Sequence, residues 1–161
     1  MHTSESRVGD VIFSAPDPAT DPYFAVALLR LQRSSYALEA ELLGDDRIPP
    51  LQEDEVRLTA WRGNWRTAWD GVDLVGAIAW AEHDDHLDIE KVMVSPAVMR
   101  RGIASALISQ VLDEAHGREV VVATGRDNAP GVALYAKHGF DVDGDEEVPP
   151  GIWIRKFRLG G

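Results

Sequence analysis

The apolar positions change period several times along the chain, and each change marks an element. The sharpest signal runs over residues 101–116, where Ile103, Ala104, Leu107, Ile108, Val111, Leu112 and Ala115 recur on one stripe at helical spacing. Gly117 ends that helix. Upstream, strands at 65–69 and 74–82 flank the turn Asp70-Gly71-Val72-Asp73, and a third at 87–94 follows the polar turn 83–86. Short turns between them predict an antiparallel meander. Downstream, residues 119–123 form a short apolar strand. The strand 87–94, the helix and this strand therefore make one βαβ unit with a parallel, right-handed crossover. A second helix over 129–138 stops at Gly139, and closing strands at 141–148 and 152–159 are split by Pro149-Pro150-Gly151.

The N-terminal third is less regular. Residues 8–14 read as a strand closed by Pro16 and Pro18, and Asp21-Pro22 opens a helix carrying Phe24, Leu28, Leu29 and Leu31. Residues 36–43 either continue this helix or form another. Residues 44–50 read as a loop, and 51–60 are ambiguous between a helical turn and coil. With no repeat and no dividing linker, the elements share one core: a mixed α/β sheet in a single domain over residues 1–161.

Composition narrows the chemistry. The 161 residues contain no cysteine, which excludes disulfides, thiolate catalysis and Cys-ligated metal. Neither a signal-peptide pattern nor an apolar run of membrane-spanning length is present, so a cytoplasmic protein is expected. The net charge of -11 repels nucleic acid and anionic lipid and favours cationic partners. Five carboxylates fall within 82–90 and five within 141–147, and both groups read first as solvated surface. His83 and His86 frame Asp84-Asp85, an ordinary polar turn rather than a metal site.

One junction stands out against this acidic background. Met99-Arg100-Arg101-Gly102-Ile103-Ala104 joins a strand end to a helix start, where free amides and the positive helix dipole suit a pyrophosphate. Gly102 and Ala104 let a ligand approach the main chain. Arg100 and Arg101 are unfavourable for the dipole there, which argues for an anionic ligand over a purely structural role. This segment resembles the pyrophosphate-binding signature of GNAT acetyltransferases, Gln/Arg-x-x-Gly-x-Gly/Ala, with Met99 departing from the first position. Downstream, Asn128-Ala129-Pro130-Gly131-Val132-Ala133-Leu134-Tyr135-Ala136-Lys137-His138-Gly139-Phe140 is similar to the same family's Asn-x-x-x-x-x-Leu-Tyr-x-Lys-x-Gly-Phe helix. The likeness covers residues 65–159.

The resemblance implies a GNAT-like mixed sheet of about seven strands with flanking helices and a βαβ core that binds acetyl-CoA. It further implies direct N-acetyl transfer in a ternary complex, without metal. Residues Arg100, Arg101, Gly102, Ile103 and Ala104 would hold the pyrophosphate, Val92, Met93 and Val94 the pantetheine arm, and Asn128 would join the cofactor site. Tyr135 would protonate the leaving thiolate. Asn128 and Tyr135 are two helical turns apart and share a face; read by themselves, the first is an N-cap and the second a core tyrosine. Asp88 and Glu90 alternate onto one strand face with Val92 and Val94, opposite Leu87, Ile89 and Met93. About 7 Å apart, the two carboxylates repel and raise one pKa toward that of a general base. The expected acceptor is a small-molecule amine or a basic peptide, and a homodimer stays open. A noncatalytic acyl-CoA-binding module on the same fold is the rival reading.

Overall fold

A computed structural model describes residues 7–8, 10–48 and 53–160. The stretch read as one N-terminal strand is a hairpin, β1 (Arg7–Val8) and β2 (Val11–Ser14), in which Val8 faces Val11. Helix α1 (Pro22–Leu43) runs unbroken through both segments that the sequence left divisible. Its first turn is fixed by Pro22 and by the Asp21 carboxylate, which accepts the Phe24 amide at 3.1 Å; Gly44 ends it at φ +69°. Part of the ambiguous 51–60 segment lies outside the described residues, and the rest forms α2 (Glu55–Ala60), capped by Asp54.

The meander follows as β3 (Asn64–Asp70), β4 (Asp73–Glu82) and β5 (His86–Val94), all antiparallel. Helix α3 (Ile103–Ala115) leads into β6 (Glu119–Gly125), which pairs parallel with β5 as the βαβ reading requires. Then come α4 (Ala129–Lys137), β7 (Asp141–Val148) and β8 (Ile152–Leu159). The described strands form one sheet in the order β1-β2-β3-β4-β5-β6-β8-β7. The last strand therefore inserts beside β6 and leaves β7 at the edge. Burial explains the exchange: Ile152 and Phe157 of β8 are buried, whereas almost every β7 residue is exposed and its acids face Arg155, Lys156 and Arg158 across the pair.

Two cores cover the two sheet faces. One packs α3 and α4 through Ile103, Leu107, Ile108, Val111 and Tyr135; the other packs α1 and α2 through Phe24, Leu28, Leu31 and Leu58. Each such side chain, fully buried, contributes about 1.5–3 kcal/mol. Gly76 lets α3 approach β4, since a Cβ there would lie 2.7 Å from Ile103 Cγ2.

The alternation read along β5 needs a correction. Trp80 pairs with Ile89 and Ala79 with Lys91, so Glu90 is an extra residue, a β-bulge. Leu87 and Ile89 lie in the α3-side core with Val92 and Val94 packed against it, whereas Met93 lies in the α1-side core. The bulge reverses the facing of everything after it, so Asp88 does not share a face with Val92 and Val94.

Candidate active site

The pairing of β5 and β6 runs only from His86–Glu119 to Ile89–Val122. Beyond that point β5 stays paired with β4 as far as Val94 and β6 with β8 as far as Gly125, so the two strands part and open the sheet. A cavity of about 780 Å³ occupies the gap. Its lining comes from both cores: Ile103 and Tyr135 from the α3 side, Tyr36, Ile48 and Ile152 from the α1 side.

On the α3 side, Arg100 adopts φ +68° and Gly102 φ +78°, so the chain turns sharply into the helix. No side chain caps α3, and its first main-chain bond runs from the Ala106 amide to the Gly102 carbonyl, which leaves the preceding amides of the first turn available. A Cβ at Gly102 would meet nothing within 4 Å, so it is the left-handed conformation that favours glycine. Left-handed residues of this kind occur in nests, concavities of main-chain N–H groups suited to an anion. Arg100, Gly102, Ile103 and Ala104 line the cavity.

At the start of α4, Asn128 performs its expected cap by accepting the Gly131 amide at 3.2 Å. It also lines the cavity, and its Nδ2 donates to Thr124 Oγ1 at 3.1 Å and to Glu39 Oε1 at 3.2 Å. Two turns on, Tyr135 packs its ring against Phe140 and Phe157 at centroid distances of 5.7 and 5.4 Å. Burial, and then the charge of Glu39, push its phenol well above the ordinary value, so it stays protonated. Thus Tyr135 is both core residue and cavity wall.

Of the two candidate bases, Glu90 lines the cavity and Asp88 does not. Burial, and secondarily the Asp88 charge, raise the Glu90 pKa; burial also raises that of Asp88. The repulsion inferred from their spacing is therefore present, while the bulge assigns only Glu90 to the cleft. Two cofactor candidates also fall outside the lining. The Met93 side chain is buried under α1, and Arg101 turns toward Asp70, 3.9 Å away. His83 and His86 stack at 4.4 Å, and no metal-competent cluster of three or more ligands occurs among the described residues.

The α1 wall was not anticipated. Tyr36 is buried, its phenol raised by desolvation and by Glu39, with the Val92 main chain as a hydrogen-bond partner. The carboxyl of Glu39 is raised by burial, against hydrogen bonds from the Gly125 main chain and Asn128. Nearby, Lys91 donates to Gln32 Oε1 at 2.7 Å and pairs with Glu53, while Gln32 Nε2 donates to the same Glu53 oxygen at 2.9 Å. A signal existed: Gln32 and Glu39 are polar residues seven apart within a stripe that includes Leu28, Leu31, Tyr36 and Leu43.

The mixed sheet thus splays beside an uncapped helix start, and a buried tyrosine and a carboxylate line the opening. The family model described as acetyltransferase (GNAT) family matches residues 28–140, and the chain belongs to that family. It is 31% identical over 151 residues to the N-alpha-acetyltransferase RimI of Mycobacterium tuberculosis, covering 88% of this chain and 89% of the relative. It is also 30% identical over 133 residues to the UPF0157 protein YqkA of Bacillus subtilis, covering 82% of this chain but 39% of that longer protein. The structure of the PaiA N-acetyltransferase of Thermoplasma acidophilum in complex with coenzyme A superposes with a TM-score of 0.70 at 15% identity, covering 91% and 99% of the two chains. Among the described residues, no helix is long and apolar enough to cross a membrane.

Proposed function

We propose that the chain is an acetyl-CoA-dependent N-acetyltransferase that transfers directly to an amine of a small molecule or peptide within a ternary complex. The single observation that carries this reading is the splayed β5/β6 opening, with the uncapped α3 start on one side and Tyr135 and Glu90 in its lining. The coenzyme A bound by the fold neighbour supports the same choice of cofactor.

The free amides at 102–104 and the Arg100 guanidinium hold the pyrophosphate. Main-chain groups of Val92 to Val94, released from β6, pair with the amides of the pantetheine arm as a strand would. Acetyl-CoA supplies a thioester: the amine nitrogen forms a bond to its carbonyl carbon and the carbon–sulfur bond breaks. Glu90 accepts a proton from the acceptor's ammonium, Tyr135 donates its phenolic proton to the departing thiolate, and the phenolate is reprotonated by the second proton lost from the nitrogen as the intermediate collapses, giving amide and free thiol. Without cysteine, no acyl-enzyme forms through a thiol.

Mixing the protein with acetyl-CoA and a broad panel of amines, with thiol release as the readout, tests this. Release that depends on an amine is expected, with kcat/KM rising with pH as the Glu90 carboxyl, raised above the usual ~4.3, ionises. Acetyl-CoA binding without turnover on any amine would favour the noncatalytic module instead.

A further inference from the structure

The wall of the cavity on the α1 side contains a carboxylate that the transfer chemistry above does not use. Glu39 lines the cavity, is half-buried near the C-terminal end of a long helix, and has no ion-pair partner among the described residues. Of the cations that line the cavity, Lys91, Arg100 and Lys137, none pairs with Glu39 among the described residues, and Lys91 is taken by Glu53 and Gln32. Asn128 and the Gly125 main chain satisfy part of the Glu39 carboxylate. A carboxylate offers about four acceptor sites, so capacity remains for a donor arriving through the cavity. A charge drawn partly out of water without a countercharge is costly, and a cationic ligand would offset that cost.

Position decides which cation. Glu39 lies close enough to Tyr135 for its charge to raise that phenol, and Tyr135 marks where the thiolate departs. A nitrogen attacking the adjacent carbonyl carbon must sit about 3–3.5 Å from it, so the reacting ammonium belongs in this neighbourhood. Most of the wall on this side is apolar: Leu38, Leu43, Ile48, Val148, Ile152 and Ile154 line it, with Ser35, Tyr36 and Lys91 as its other polar members. Such a surface accommodates a hydrocarbon arm, since Tyr36 is engaged with the Val92 main chain and Lys91 with Gln32 and Glu53.

We propose that Glu39 is a specificity-determining residue that binds the acceptor's ammonium, and that the acceptor is a primary amine carried on an apolar arm. This rests on the N-acetyltransferase reading. It differs from the role given to Glu90: Glu39 holds the cation, and Glu90 takes the proton.

The test compares the wild-type chain with Glu39→Gln and Glu39→Asp, using 2-phenylethylamine and ethanolamine as acceptors and acetyl-CoA affinity as a separate readout. Gln keeps a hydrogen-bond acceptor for Asn128 and removes the charge; Asp keeps the charge and shortens the reach. The wild type is expected to favour 2-phenylethylamine by tenfold or more in kcat/KM. Glu39→Gln should raise KM for that amine at least tenfold while leaving acetyl-CoA affinity within twofold. Glu39→Asp should fall between. Acetyl-CoA binding with equal use of both amines, or an unchanged KM in Glu39→Gln, overturns this proposal alone. Failure of the wild type to bind acetyl-CoA overturns the transferase reading and this proposal with it. If Glu39→Gln does not fold, the Asp variant decides: an unchanged KM overturns the proposal, and a raised one at wild-type acetyl-CoA affinity supports it.

Discussion

The two walls of the cleft are built by different means. The α3 wall is a run of neighbours in sequence, residues 99–105, whose main chain does the work: two left-handed residues and an uncapped helix start. The α1 wall gathers side chains from a helix, a loop and the C-terminal strand, and its charges are arranged in a buried network. Main-chain recognition tolerates substitution, as Met99 illustrates at a position where the family favours Gln or Arg. Side-chain recognition does not, so the first wall fits a ligand shared by a family and the second a ligand particular to one member.

The contrast can be broken most severely at Lys91. Replacing it with Met leaves Gln32 and Glu53 without their cation at the seam between α1, β5 and residue 53. Breaking a buried pair costs about 3 kcal/mol at the lower end, and a Tm fall of roughly 6–12 °C is expected by calorimetry. A Tm within 2 °C of wild type would mean that the network contributes little to the α1 wall.

Next in size is Tyr135→Phe, which removes the hydroxyl and keeps the ring packing against Phe140 and Phe157. Acetyl transfer should slow by ~100-fold or more in single-turnover measurements, against a loss of about 1 kcal/mol or less in CoA affinity. An unchanged chemical step would return Tyr135 to a packing role. The smallest effect separates the two arginines. Arg100→Glu should weaken acetyl-CoA binding by about 1.5–3 kcal/mol, the value of a charge-assisted hydrogen bond, and Arg101→Glu by less than ~1, as for an exposed ion pair. Equal losses by calorimetry would show that Arg101 reaches the ligand despite facing Asp70.

These differences also explain what the sequence made legible. The strands and helices from residue 64 onward follow from period and breakers, and β7 and β8 begin and end where alternation and Pro149-Pro150-Gly151 require. Gly102, Ile103, Ala104, Asn128 and Tyr135 were readable because their roles are local: a helix start, a cap, and a face two turns on. The shared face of Asp88 with Val92 and Val94 was misread because a bulge leaves no mark in a strand's composition; facing is settled by pairing with β4. Glu39 was missed for a related reason. A glutamate on an amphipathic helix reads as solvated until Asn128, 89 positions away, meets it. The exchange of β8 and β7 in the sheet was likewise invisible to period, although the one-sided polarity of β7 foreshadows an edge.

The bulge at Glu90 sets a constraint on how the strand is paired. A strand repeats every two residues, so pairing Glu90 with Ala79 in regular alternation, instead of leaving it as the extra residue, would turn the rest of β5 over as a block. Lys91 would leave Gln32 and Glu53 for the α3 face, Met93 would be expelled from the α1 core, and Val92 and Val94 would replace it beneath the wrong helix. Losing the position altogether would leave those side chains on the faces they now occupy and would cost the cleft only the carboxylate in its wall.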